Sequence, residues 1–573
     1  MVGTGAVGGM AMARAYIVNE DDPVVVKIRI QDPDEEYRRF LSAKKTAADN
    51  LTDIMEDAAE KLGKENADIL DYQLLILEDA DFIRKVREII YDEHLNSEYA
   101  VDAAARDFID RFEDMGNGYL KERAADIRDI ARRLNFALRG IESTILSGIH
   151  KEAIVAAEDL SPSQTMGINR NKVKGIVLER GGVSSHSVIL ARSMDIPCII
   201  GVKDLMKNIV QGETVLIDGD TGEVVKNPEQ ERIEKYQAWL LEGIKEKQLL
   251  ERYKTCRSLT RDGFQVKVYA NITSGDDIAY LIDNGGEGAG LFRTEFLYME
   301  HNTPPSEDLQ YEIYSRAAGM LDGRPLIIRT LDAGGDKKIP YLDIPEEDNP
   351  FLGYRAIRYC LEHPDIFKAQ ISAVLRAGVH GNVGFMLPMI ATLDEVRRVK
   401  ALTDEVKDEL SRKEIPHADN VRMGIMVETP AAALSAEALA KEVDFFSIGA
   451  NDLTQYLFAA DRLNQRVAAL NSSFQPVLLN TIKHICDCGH RNGIEVDICG
   501  QAGEIPELIP LWVAMGIDNL SVSIPSIPKV RKQICETARS EAMEIMEKAL
   551  SMDTAGEVEN FLKQQFGDRG VRL

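Results

Sequence analysis

From residue 266 to residue 523 the chain repeats one pattern, a short apolar strand followed by a helical stretch. Eight strand candidates recur, at 266–272, 288–293, 325–331, 383–390, 423–429, 443–449, 494–500 and 518–523. Strands alternating with helices pair in parallel, and eight such units predict a closed (β/α)₈ TIM barrel. Asn271, Arg293, Arg329, Glu428, Asn451, Asp452 and Cys499 fall at or just past the C-terminal ends of these strands. That end is where barrel active sites form, and polar residues scattered through a core would not sort to it.

A chain of 573 residues has room for three or four domains. After an opening strand at 11–18, Asp32 and Pro33 supply an N-cap and a first helical position. The long amphipathic helix that follows puts Phe40, Ala47, Leu51, Ile54, Met55, Ala58 and Leu62 on one face. Further helical patterns at 67–77, 81–94 and 97–146 complete an all-helical bundle. From Val173 the pattern becomes β/α, with strands at 175–178, 198–202 and 215–225, the last turning at Gly219-Asp220-Thr221-Gly222. Asn227-Pro228 then opens a charged helix to about residue 255, a semi-rigid connector between two halves.

The formal charge is −26, from 94 acidic against 68 basic residues. Such a surface repels nucleic acid and anionic membrane, and it steers basic partners or simply keeps the chain soluble. No apolar run approaches the length of a membrane span, and residues 1–5 lack a basic segment leading into an apolar core, so a cytoplasmic location is expected. Seven scattered cysteines suit a reducing compartment. Cys486 and Cys488, with His484 and His490, lie on a helical pattern without a second ligand pair, so they are not read as a zinc site.

His186 stands in GGVSSHSVILARS, where two glycines open a turn and two serines offer N-cap hydroxyls. In the first turn of a helix, free N–H groups and the positive dipole end favour an anion, so an imidazole there can carry a phosphoryl group. A histidine that merely caps a helix is the plainer alternative. Arg293, Arg329, Arg355 and Arg462 put several guanidiniums near one barrel mouth, where they suit a ligand rich in carboxylate and phosphate or pair with carboxylates of the chain. Glu428 and Asp452 are hard carboxylates able to hold Mg²⁺ with phosphate oxygens and water; each alone reads equally as a cap or an arginine partner. Cys499 is either a buried small hydrophobe or, with an ordinary thiol pKa of ~8.5, a proton donor near neutrality.

Taken together, GGVSSHSVILARS, GLFRTEF, IIRTLDAGGDK, NPFLGYRAIR, MVETPAA, DFFSIGANDLTQY and the Cys499-Gly500 pair resemble the Enzyme I family of the bacterial sugar phosphotransferase system, the phosphoenolpyruvate-protein phosphotransferases. The resemblance covers nearly the whole chain. It implies that His186 is phosphorylated, that Glu428 and Asp452 bind Mg²⁺, and that Cys499 protonates the enolate to pyruvate. Arg293, Arg329, Arg462, Asn451 and Asp452 would hold phosphoenolpyruvate, with Lys337 and Arg355 near it. Arg123 matches a position near the donor histidine. The implied acceptor is the histidine phosphocarrier HPr, and the implied assembly is a homodimer through the barrel.

The resemblance also implies a multidomain α/β chain. A swivelling phosphohistidine domain would span 1–20 and 147–226, with a helical HPr-binding domain inserted at 21–146. A linker helix at 227–258 and a TIM barrel at 259–573 would follow. Val7-Gly8-Gly9 stands where the family usually has a Ser-Pro-Gly turn, Gln73 where it often has histidine, and Asn471 where a tyrosine is common. Pyruvate phosphate dikinase and phosphoenolpyruvate synthase share the swivelling domain and barrel. They also need a nucleotide-grasp domain, and the N-terminal segment here is a helical bundle without a glycine-rich phosphate loop. A scaffold that only binds partners would be expected to have lost His186 or the carboxylate pair, and both are present.

Overall fold

The computed structural model describes residues 1–18, 25–62, 73–114, 118–140, 149, 151–160, 164–165, 168–182, 185–335, 337, 339–464 and 466–566, with backbone alone at 53–54, 56–62, 111–114, 118–125, 186, 193 and 340. Two compact units divide it, Met1–Gly243 and Ile244–Leu573.

The first unit is built on a seven-stranded sheet. Its strands are β1 (Thr4–Val7), β2 (Met10–Val18), β3 (Ala153–Ala157), β4 (Val173–Leu178), β5 (Cys198–Ile200), β6 (Thr214–Asp218) and β7 (Glu223–Lys226), in the order β1-β5-β4-β3-β2-β6-β7. β2 pairs in parallel with β3, more than a hundred positions later, and the connection carries the helices. These are α1 (Pro33–Leu62), α2 (Ala80–Asp92), α3 (Ser97–Asp114) and α4 (Gly118–Leu138). Asp32 starts α1 as expected, its Oδ1 accepting from the backbone N–H groups of Asp34 and Glu35 at 3.0 and 3.1 Å. Phe40, Ala47 and Leu51 are buried on its inner face with Val86, Ile90 and Leu134. The single helix expected at 97–146 is two helices, α3 and α4. The pattern expected at 67–77 lies largely outside the described residues.

The sequence pattern missed β1 and β3. β3 is buried at all five positions, so it has no polar face to give an alternating signal. Among the departures from the family pattern, Gly9 adopts φ +97°, and its N–H donates to Asp220 Oδ2 at 3.1 Å. Gln73 is buried and donates to Asp129 Oδ2 at 3.1 Å.

The connecting helix, α5 for His186–Ser193 having preceded it in the chain, is α6 (Gln230–Tyr253). In the second unit, buried Arg531 closes its end, its Nη1 donating to the carbonyls of Tyr253 at 2.8 Å and Lys254 at 3.2 Å. Gly285, at φ +77°, is required beside this anchor, because a Cβ there would lie 1.8 Å from the Lys254 carbonyl oxygen.

All eight expected barrel strands are present, as β8 (Lys267–Ile272), β9 (Ala289–Arg293), β10 (Leu326–Arg329), β11 (Val383–Leu387), β12 (Arg422–Val427), β13 (Phe445–Gly449), β14 (Glu495–Cys499) and β15 (Asn519–Val522). They close in parallel, β8 pairing with both β9 and β15. Outer helices cover the barrel, and Trp512, fully buried on one of them, donates its Nε1–H to the Ala502 carbonyl at 2.8 Å. Among the described residues no helix is long and apolar enough to cross a membrane.

Candidate active site

His186 is the first residue of α5, with Ser185 as its N-cap in an extended conformation. The helix start expected from the sequence is there, with one difference. Ser185 makes no side-chain cap bond, and its buried Oγ has no hydrogen-bond partner. The His186 side chain lies outside the described residues. Arg123 is on α4, and its side chain is likewise outside them.

The barrel residues meet at the C-terminal ends of the strands. Arg329 ends β10 and is buried; its Nη2 bonds the Glu295 carboxylate, and its Nη1 lies 3.3 Å from Asp332 Oδ2. Burial would lower the guanidinium pKa, but Glu295 and Asp332 outweigh it and hold it above the ordinary value. Lys337 reaches the same two carboxylates, its Nζ bonding Glu295 and lying 2.9 Å from Asp332 Oδ2. Arg355 forks onto Asp332 through Nη2 at 2.9 and 3.1 Å. Glu295 and Asp332 are therefore the buried anions that keep three cations in place. Burial alone would raise both, yet Arg329 and Lys337 keep each below the usual carboxylate range.

Neither carboxylate was assigned a role from the sequence, although both stand in the motifs that supplied the arginines. Only the fold shows which carboxylate an arginine meets. Phe351 was missed too; its ring lies under Arg355 and Arg462, at 5.9 and 6.0 Å from the guanidinium carbons.

Arg293 ends β9 and differs from its neighbours. Burial, then repulsion from Arg329, lower its pKa, and no carboxylate of the described residues hydrogen-bonds it. Such a partly buried guanidinium has its donors free for an anion. Arg462 Nη1 lies 3.7 Å from Asp452 Oδ2, and Arg355 Nη1 lies 3.8 Å from Asp452 Oδ1. Asn451 is exposed at the start of helix Ala450–Phe458, next to Gly500, where a Cβ would lie 3.7 Å from its Nδ2. Asn471 lies apart from these groups, donating to the Ala460 carbonyl at 3.2 Å.

Glu428 follows β12 and is buried, its Oε1 accepting from the Met389 N–H at 2.6 Å. Met389 holds φ +58°, and Ala356, next to Arg355, holds φ +55°. Non-glycine residues at such angles cost on the order of 1–3 kcal/mol each; one donates to Glu428 and the other directly follows Arg355. Burial, then the negative charges of Asp452 and Asp332, push Glu428 up to about 8. Gly449 leaves room for the Glu428 carboxylate, since a Cβ there would lie 2.7 Å from Glu428 Oε2.

Asp452 Oδ1 is buried without a hydrogen-bond partner. A buried Glu428 carboxylate whose charge is disfavoured, beside an orphan oxygen of Asp452, fits a divalent cation that takes its other ligands from phosphate and water. Cys499 ends β14, buried, its Sγ donating to the Ile448 carbonyl at 3.4 Å. Its pKa is not the ordinary thiol value expected from sequence: burial raises it to about 11.

The cationic cluster, the carboxylate pair and the protonated thiol all lie at the barrel mouth, within the stretch of chain that matches a PEP-binding family model. The chain matches the PEP-utilising enzyme models for the PEP-binding domain at 247–539, the N-terminal region at 2–123 and the mobile domain at 149–222. It is thus a PEP-utilising enzyme by class. Phosphoenolpyruvate-protein phosphotransferases of Bacillus sp. (strain S) and Bacillus subtilis (strain 168) are 44% and 42% identical to it, over 98% of this chain and 98% and 99% of theirs. The chain belongs to the phosphoenolpyruvate-protein phosphotransferase family. A solution structure of an Enzyme I protein is also similar, at 30% identity and TM-score 0.38, over 41% of this chain and 96% of that one.

Proposed function

We propose that the chain transfers the phosphoryl group of phosphoenolpyruvate to His186, releasing pyruvate, and then passes it to a histidine of the phosphocarrier HPr. The observation that carries this reading is Arg293, a guanidinium without a bonded anion beside cations already neutralised by Glu295 and Asp332. Arg293, Arg329 and Arg462 grip the phosphate and carboxylate of the substrate, Asn451 adds a polar contact, and Lys337 and Arg355 brace the cluster. Glu428 and Asp452 hold Mg²⁺, which when bound offsets charge on the phosphoryl oxygens.

A His186 nitrogen attacks phosphorus as the bond to the enol oxygen breaks. The arginines stabilise the enolate charge, electrostatic help realised in the transition state. Cys499, a protonated thiol at neutral pH, then gives its proton to the enolate methylene carbon, and pyruvate leaves. The transfer requires His186, in one unit, to reach the arginines of the other, which accords with its place in the mobile-domain match.

Division of the chain into 1–20 with 147–226, 21–146, 227–258 and 259–573 follows the same reading. Arg123 lies on the carrier-binding segment, the barrel pairs two copies, and the location is the cytoplasm; family membership supports each of these. The test is pyruvate release from phosphoenolpyruvate and Mg²⁺. One equivalent should appear without carrier and many once HPr is added. Release unaffected by HPr would overturn the acceptor assignment.

A further inference from the structure

One half of the barrel interior is polar, and the mechanism above does not use it. Cys499 packs with Leu291, Ile327, Met386, Met426 and Phe445 in the interior cluster, which fixes the inward sense of β14. Residues two apart share a face, so Asp497 and Glu495 point inward beneath it. Strand register sets Ser447 beside Asp497 on one side and Asn519 on the other, with Ser521 beside Cys499 and Tyr269 beyond it.

Asp497 is buried, and Asn519 Nδ2 donates to its Oδ1 at 2.5 Å. Buried Asn519 Oδ1 is left without a hydrogen-bond partner. Burial, with Glu495 and Asp518, outweighs the Asn519 bond and Arg422 and pushes Asp497 up to about 8. Ser447 is buried and stands beside Asp497 in register, and its hydroxyl offsets part of the rise that burial gives the Cys499 thiol. At the floor Glu495 meets Arg422 at 2.8 Å and Lys267 at 3.8 Å, and these three side chains are 35, 40 and 39% exposed. Polar side chains thus stand at successive inward positions from the half-exposed floor to the thiol.

We propose that Asp497 returns a proton to Cys499 through the Ser447 hydroxyl and is recharged from water at the barrel floor. The proposal rests on Cys499 acting as the donor to the enolate. When the enolate carbon takes the thiol proton, an S–H bond breaks, a C–H bond forms and a thiolate remains. The Ser447 O–H proton moves to sulfur as the Asp497 carboxyl proton moves to the Ser447 oxygen. Asp497, now a carboxylate, takes a proton from bulk water, and no electrons change hands. The step runs downhill, since the carboxyl is the stronger acid. Substrate enters on the mouth side of the thiol, so a route from the floor stays open while the mouth is filled.

The test uses the full chain with Mg²⁺, phosphoenolpyruvate and pyruvate in D₂O, and reads two rates. Exchange of a carbon label between pyruvate and phosphoenolpyruvate needs no solvent proton. Entry of deuterium at the methylene carbon does need one, through the thiol. In Asp497→Asn, carbon exchange should stay within threefold of the unaltered chain, while deuterium entry falls at least tenfold. If that variant fails to fold, Ser447→Ala interrupts the path at the hydroxyl and should give the same split. Two rates falling together would mean a purely structural role, and two unchanged rates would mean reprotonation through the mouth; either overturns the proposal. Absence of carbon exchange in the unaltered chain would instead refute the phosphoryl-transfer reading itself.

Discussion

Asp332 accepts two hydrogen bonds from one Arg355 nitrogen, at 2.9 and 3.1 Å, with both side chains 1% exposed. Removing one partner of such a pair leaves a buried charge uncompensated, at a cost of about 3–5 kcal/mol. Asp332→Asn should therefore destabilise the barrel by that order and loosen Lys337 and Arg329 with it. Urea unfolding followed by the fluorescence of buried Trp512 checks this; a loss below about 1 kcal/mol would show that Asp332 is not holding the cluster.

Arg329→Lys keeps the charge but gives up the planar fork that spans Glu295 and Asp332. Loss of one electrostatic contact to developing charge typically costs about 2.7–4 kcal/mol, a factor of ~10²–10³ in rate. Single-turnover pyruvate formation should slow by that factor with the fold intact. A change below threefold would make Arg329 structural.

The barrel was legible because each of its eight strands lies between helical patterns, and because Arg293, Arg329, Glu428 and Cys499 sort to one end of them. β3 was not legible, since Ala153–Ala157 is buried on both faces and is apolar throughout, which gives no alternation. The break between α3 and α4 had a signal in Gly116-Asn117-Gly118, which the helical periodicity on either side overrode. Glu295 and Asp332 could be read as residues but not as partners, because their cations come from other strands and loops. The thiol value of Cys499 depends on burial, which spacing does not report.

Cys499→Ala should slow pyruvate formation while leaving phosphoenolpyruvate binding within about threefold, since the arginines remain. The pH dependence follows from a thiol held near 11. Its acid form is the donor, so in a single turnover the protonation step should stay level from pH 6 to 9. A single-turnover fall centred on 8.5, where an ordinary thiol loses its proton, would contradict the burial effect.

Glu428 and Asp452 give a metal readout that needs no activity. Binding to the folded chain alone stabilises it by RT ln(1 + [L]/Kd), about 2.7 kcal/mol at a hundred times Kd. Mg²⁺ with phosphoenolpyruvate should raise the melting temperature of the barrel. Glu428→Gln and Asp452→Asn should each abolish the part of the rise that depends on Mg²⁺. An undiminished Mg²⁺ effect in both variants would place the ion elsewhere.

The most direct measurement is the position and linkage of the phosphoryl group after brief incubation with phosphoenolpyruvate and Mg²⁺. Peptide mass spectrometry should find it on His186, as an adduct lost in acid and kept in base, and His186→Ala should take up none. A phosphoryl group on another residue, or labelling that persists in His186→Ala, would contradict the account.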